Sequence, residues 1–324
     1  MQPKTVDIAL LLYSGAQQAA VLGMTDLFHT ANRQLAEREP DRPLRVSHWQ
    51  PHEEVAPERV WGESGAGPDA VIVPPTLHNP EQLPIPAPML RWLTEAHRQG
   101  AIACSVCGGA FVLARTGILQ GRTATTHWMY TEAVEAAFPA VHWATERLMV
   151  DDGDVITAGG AMSWTDLGLR LVDRFLGPRV MLDTARTLLI DPPGREQRYY
   201  RPFSPRLNHG DKAILQVQHW LHSTQARTGS VSVLAKKAGL EPRTFLRRFA
   251  RATGLTSTDY CQHIRVSKAQ ERLQLGREPI ESIAWEVGYK DPASFRKVFT
   301  RIVGLGPGEY RKRFGAEPSI LENH

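Results

Sequence analysis

The chain has little cysteine. Three residues in 324 cannot make a disulfide framework, and this usage points to a reducing, cytoplasmic compartment. It also lacks long apolar runs. The longest small-and-apolar stretch lies within residues 101–117, contains Gly108-Gly109, and is too short to span a bilayer, so no membrane partner is expected. The opening MQPKTVD shows no basic segment leading into an apolar one, so no secretory signal is expected. No Cys/His spacing suits zinc, and no Gly-rich phosphate loop follows a strand. Neither a metal nor a cofactor is therefore expected.

What is present is enough apolar residue, 42%, for packed cores, and length for two domains. The net charge of +4 is unevenly spread. Residues 211–324 carry 19 Lys+Arg against 11 Asp+Glu, and residues 1–210 carry 19 against 23. A basic second part makes a polyanion a candidate partner. Between the parts lies "DPPGREQRYYRPFSPRLNHG", residues 191–210, rich in Pro, Gly and Arg and without helix or strand period. It reads as a linker whose Tyr199, Tyr200 and Phe203 pack against something.

The first part, residues 1–190, alternates strands and helices. "VDIALLLY" (6–13), "DAVIVPP" (69–75), "AIACSV" (101–106) and "DVITAGG" (154–160) read as buried parallel strands. Residues 18–37 and "WTDLGLRLVDRFLG" (164–177) read as helices. The alternation predicts an α/β fold, a flavodoxin-like parallel sheet covered on both faces. Ligands in such sheets sit beyond the strands' carboxyl ends. Cys107 stands at one such end, before Gly108 and Gly109 and a helical segment: a strand-to-helix elbow of the kind that exposes a nucleophile.

The second part, residues 211–315, reads as helices only, followed by a tail at 316–324. It contains a repeat. Residues 242–260 shifted by 50 places onto 292–310 match at seven of 19 positions, among them Phe245/Phe295, Phe249/Phe299 and Tyr260/Tyr310. Upstream, "VLAKKAGL" (233–240) matches "SIAWEVGY" (282–289) at a shift of 49. A duplicated unit is one supersecondary module used twice. Each copy, about 231–253 and 279–303, reads short helix, Gly turn, second helix, which is the helix-turn-helix pattern. Asp291 is placed to cap the second helix of its copy.

At 100° per residue Phe245 and Phe249 are core anchors, and Arg243, Leu246, Arg247 and Ala250 face out, with Arg251 beside them. In the second copy Ala293, Arg296, Lys297 and Thr300 face out. An outer stripe of this kind suits a DNA major groove. The expected DNA contacts are Arg243, Leu246, Arg247, Arg251, Ala293, Arg296 and Lys297. Residues 257–275 read as one long helix that spaces the two modules.

Residues 212–314, with "GLEPRTFLRRFARATGLTSTDY" and "IAWEVGYKDPASFRKVFTRIVGLGPGEYRKRF", resemble the DNA-binding domain of the AraC/XylS family of bacterial transcription regulators. The resemblance implies double-stranded promoter DNA as partner, RNA polymerase nearby and a homodimer.

The first part, over about residues 5–180, resembles the PfpI-like branch of the class I glutamine-amidotransferase-like superfamily, through "SVCGGAFVLARTGILQGRTATTHW" (105–128) and "VITAGGAMSWTDLGLRLV" (155–172). Cys107 matches the family's nucleophile and His127 its nearby histidine. The usual acid of the first helix falls on Ala20, and Asp26 matches a different acidic position. The turn reads Cys-Gly-Gly where relatives often carry Cys-Thr-Gly. A thiol at a helix N-terminus beside an imidazole should have a lowered pKa. Three readings stand for Cys107: catalyst, wall of an effector pocket, or plain buried thiol. The pocket reading adds Gly108, His127, Trp128 and Trp164. The expectation is a non-enzymatic regulator that senses a small-molecule effector through a degenerate site. The alternative is a PfpI-like hydrolase or hydratase using Cys107, fused to a DNA-binding domain.

Overall fold

A computed structural model describes residues 5–36, 43–63, 65, 67–192, 194–227 and 229–316. The chain divides into two units, Met1–Gln197 and Arg198–His324. The division falls inside the segment read as a linker.

The first unit begins with β1 (Val6–Leu11), α1 (Gln18–Ala36), β2 (Leu44–Gln50), β3 (Glu58–Gly62) and β4 (Ala70–Val73). It continues through α2 (Ala87–Arg98), β5 (Ile102–Val106), α3 (Gly109–Arg115), β6 (Thr123–Ala124), α4 (Thr131–Ala137) and β7 (His142–Trp143). It closes with β8 (Met149–Asp151), β9 (Val155–Ala158), α5 (Trp164–Leu176) and α6 (Pro178–Leu188). The apolar run of β1 serves two cores. Ile8 and Leu10 join α1, α5 and α6 on one face, and Ala9 and Leu11 join α2 on the other. A strand buried on both faces needs no polar alternation.

The seven-stranded sheet has the order β3-β2-β1-β4-β5-β9-β8. Its five inner strands pair in parallel, in the doubly wound order of flavodoxin-like sheets. The two edge strands run antiparallel, which the sequence reading did not anticipate. Every residue of β3 is exposed, so it has no apolar signature. A short parallel pair, β6 and β7, stands apart from the main sheet.

The second unit holds α7 (Lys212–Ser223), α8 (Val231–Lys237), α9 (Pro242–Thr253), α10 (Ser257–Leu275), α11 (Ile280–Glu286), α12 (Pro292–Val303) and α13 (Pro307–Phe314). Helix α10 covers the residues expected and carries two cores in succession. Its Tyr260, Cys261 and Ile264 pack with Phe245 and Phe249 of α9. Its Val266, Ala269 and Leu273 pack with Phe295 and Phe299 of α12. The segment from Arg198 belongs to this unit. Phe203 stacks on His263 at 5.0 Å and meets Tyr260 edge-on at 5.1 Å, while Tyr199 packs on the second core. Among the described residues no helix is long and apolar enough to cross a membrane.

Candidate functional site

The elbow follows β5. Cys107 has φ 53°, a left-handed conformation that costs a non-glycine residue roughly 1–2 kcal/mol. Its neighbours hold it there. Its N–H donates to Ala158 O at 2.7 Å, and its carbonyl accepts from Ala110 N at 3.2 Å and Thr126 Oγ1 at 2.8 Å. The two glycines are steric requirements. A Cβ on Gly109 would lie 2.6 Å from Val73 O, and one on Gly108 would lie 2.7 Å from Thr76 Cγ2. The loop after β4 thus occupies the space that a threonine after Cys107 would fill.

The thiol is 4% exposed. Burial pushes its pKa up to about 11, against a smaller lowering by the Gly108 N–H. The expected depression is therefore reversed: desolvation outweighs the helix N-terminus. At pH 7 the thiol is therefore protonated. His127 accepts the Met129 N–H through Nδ1 at 3.2 Å, and burial lowers its pKa, so the imidazole is neutral. Ala20 is fully buried in the core that holds Cys107, and Asp26 is exposed. Two phenols lie close enough to feel the Cys107 charge. Tyr13 donates to Pro74 O at 2.6 Å, and both Tyr13 and Tyr130 have pKa values raised by burial first and by Cys107 second.

The residues expected to line a pocket are placed as follows. Thr126 Oγ1 donates to the Cys107 carbonyl at 2.8 Å, which ties the chain just before His127 to the elbow, and the Trp128 ring lies 5.2 Å from that of His127. Trp164 packs on Gly23 of α1, and its buried indole Nε1 has no hydrogen-bond partner among the described residues. Gln197 was not anticipated. It is 2% exposed, accepts from Trp128 N at 3.0 Å, and donates to Thr126 O at 2.7 Å and Arg147 O at 2.9 Å. Its signal is absent from the sequence because it lies in a Pro/Gly-rich stretch with no periodicity.

In the second unit, Phe245, Phe249, Phe295 and Phe299 are fully buried. Arg243, Leu246, Arg247 and Arg251 are exposed on α9, and Ala293, Arg296 and Lys297 are exposed on α12. Both modules have glycines with left-handed backbone in the turn, Gly239 at φ 65° and Gly288 at φ 92°. Asp291 caps α12, accepting from Ala293 N at 3.1 Å and Ser294 N at 2.9 Å. Ion pairs tie Arg248 to Asp211, Arg296 to Glu281, and Arg301 to Asp259.

Comparison with known proteins gives two family matches, DJ-1/PfpI over residues 7–174 and a helix-turn-helix domain over residues 234–313. The HTH-type transcriptional regulator GlxA of Rhizobium meliloti is 29% identical over 69% of this chain and 69% of its own. The HTH-type transcriptional regulator CdhR of Pseudomonas aeruginosa is 24% identical over 71% of this chain and 66% of its own. A solved AraC family transcriptional regulator from Pseudomonas putida covers 56% of this chain and 99% of its own at 18% identity, with a TM-score of 0.46. The chain belongs to the DJ-1/PfpI family and joins that domain to a helix-turn-helix domain of the AraC type, the build of a transcriptional regulator.

Proposed function

We propose that this chain regulates transcription in the cytoplasm, binding promoter DNA through α9 and α12 and a small-molecule effector at the Cys107 elbow. The observation that carries the DNA half is the exposed face of α9. There Arg243, Arg247 and Arg251 have no acidic partner among the described residues. Guanidinium groups on one helix face can bond guanine edges and neighbouring phosphates. The effector half rests on Cys107, Gly108, His127, Trp128 and Trp164, whose buried Nε1 has no hydrogen-bond partner among the described residues.

The elbow serves binding rather than turnover. The thiol is protonated and Ala20 stands in the acid position; His127 spends Nδ1 on the Met129 N–H, and among the described residues no hydrogen bond joins its ring to the sulfur that it would have to activate. The chain acts as a homodimer beside RNA polymerase, so four helix-turn-helix modules reach one promoter. Footprinting on a panel of promoters tests this reading. Two protected segments are expected, each of about two turns of DNA. Arg247→Ala should cost about 1–3 kcal/mol on the preferred site. Unchanged affinity across the panel would remove α9 from the groove. Conversion of a ligand by wild type and not by Cys107→Ser would overturn the binding-only elbow.

A further inference from the structure

The two helix-turn-helix modules are copies in fold but not in charge. At matched positions the first has Ser232, Lys236 and Lys237 on α8 where the second has Glu281, Trp285 and Glu286 on α11. On the recognition helices Arg243, Leu246, Arg247 and Arg251 stand against Ala293, Arg296, Lys297 and Arg301. The first module thus offers five cations and no carboxylate at these places. The second offers three cations and two carboxylates, with Lys290 in its turn as a further cation.

Pairing widens the difference in available cations, while Glu286 is itself paired with Arg272 at 2.5 Å. Arg243, Arg247 and Arg251 point to solvent without an acidic partner among the described residues, and Lys236 is exposed. Lys237 lies 5.0 Å from the Trp220 ring centre, a contact that leaves its charge in place. In the second module the Arg296 guanidinium is bound by the Glu281 carboxylate, and both side chains are about half exposed, 50% and 44%. Arg301 is held by Asp259 at 3.3 Å and Gln262 Oε1 at 2.5 Å. The first helix of such a module crosses the DNA backbone, where a lysine attracts phosphate and a glutamate repels it.

We propose that the modules divide the work, the α8–α9 module supplying the grip on DNA and Glu281 setting the specificity of the α11–α12 module. Glu281 holds Arg296 until a base edge with two well-placed acceptors, as on guanine, takes the guanidinium from it. A sequence without such acceptors leaves the pair closed and meets a carboxylate near its phosphates. Arg296 then adds nothing to general affinity and acts only on the right site. Glu281 is a positioning residue here, acting through Arg296.

The inference rests on the DNA-binding reading, and the test separates the two. The full-length chain is titrated with a random-sequence 30-base-pair duplex over a range of salt. Each phosphate neutralised contributes about 0.9 to the slope of log K against log salt. Lys236→Ala and Arg247→Ala should each flatten the slope by about that amount, and the double variant Glu281→Gln/Arg296→Ala, which removes the pair whole, should keep the wild-type slope. Glu281→Gln should steepen it by about 0.9, because Arg296 becomes available to any phosphate. In selection from a random duplex library, Glu281→Gln should also recover a broader set of sequences than wild type. A Glu281→Gln/Arg296→Ala chain with a slope as flat as that of Arg247→Ala, or as steep as that of Glu281→Gln, would overturn the proposal, as would a Glu281→Gln chain identical to wild type in both slope and selection. Circular dichroism shows whether each variant is folded. If folded wild type binds no duplex at any salt, the DNA-binding reading itself falls. If it binds and only the module pattern is absent, the division of work falls alone.

Discussion

Cys107 is a residue whose local setting and surroundings disagree. The elbow and the helix N-terminus favour a thiolate, yet burial leaves the native thiol protonated up to about 11 against an ordinary value of 9.0. A native state that binds the extra proton loses relative stability as pH rises. Cys107's contribution is therefore fully present below pH 9 and lost between about 9 and 11. Urea unfolding at stepped alkaline pH should show that decline, reduced in Cys107→Ser. Iodoacetamide should label native Cys107 slowly at pH 7–8, because the thiolate is the nucleophile. Gln197 is the opposite kind of residue, unremarked in sequence and fully engaged in the fold. Gln197→Ala leaves the Trp128 N–H and the carbonyls of Thr126 and Arg147 without this partner. The Thr125 hydroxyl still lies within reach of both carbonyls, so the Trp128 N–H carries the loss; a buried group left unpaired costs about 1–3 kcal/mol when no water replaces the partner, and the first unit should unfold at measurably lower urea.

The two recognition helices start differently. Asp291 caps α12 with two hydrogen bonds, whereas Glu241 occupies the N-cap of α9 with no side-chain hydrogen bond. A glutamate is one methylene too long for the reach that aspartate or serine makes. Glu241→Ser should stabilise the second unit by about 1 kcal/mol, read as a rise in Tm. Asp291→Ala should lower it. Ser294 and the α12 amides hold the Asp291 carboxyl below its usual range. The cap is therefore fully effective above the unfolded pKa near 3.8, and its contribution is lost as pH falls through the lower folded value. Helix α10 ties the modules because its two halves belong to different cores. Its Tyr260 hydroxyl meets Gln218 and His222, and in the second core the matching Tyr310 hydroxyl meets Gln270 and Gln274. The duplication thus extends to the polar contacts beneath each recognition helix.

At the scale of the whole chain, the boundary at Gln197/Arg198 has a testable consequence. Arg198, Tyr199, Tyr200 and Phe203 pack within the second unit: Tyr200 meets Phe314 at 5.2 Å, and Arg313 lies over the Tyr199 ring at 5.7 Å. A fragment of residues 198–324 should therefore melt higher than one of residues 208–324, which lacks these aromatics. Equal melting temperatures would show that the segment contributes nothing to that unit. An effector found by screening should raise the melting of the unit holding Cys107, since binding to the native state alone stabilises by mass action. An effector that shifted only the 198–324 fragment would displace the elbow as its site.

Much of this molecule is legible in sequence because it rests on local periodicity. The apolar run of β1, the phenylalanines four apart on α9 and α12, the Gly turns at Gly239 and Gly288, and the span of α10 all follow from side-chain spacing within one element. The duplication made the two modules readable from each other. What sequence could not carry depends on what lies across space. Of the antiparallel edges, β3 is wholly exposed and β8 is only three residues long, so neither leaves a periodic signature. The Glu281–Arg296 pair joins residues on different helices, and Gln197 reaches its partners from a stretch without period. The Cys107 thiol followed the desolvation of its surroundings rather than its place at a helix start. Spacing along a chain determines which face each side chain takes; ionisation and pairing are set by the dielectric and the partners that tertiary packing brings to that face.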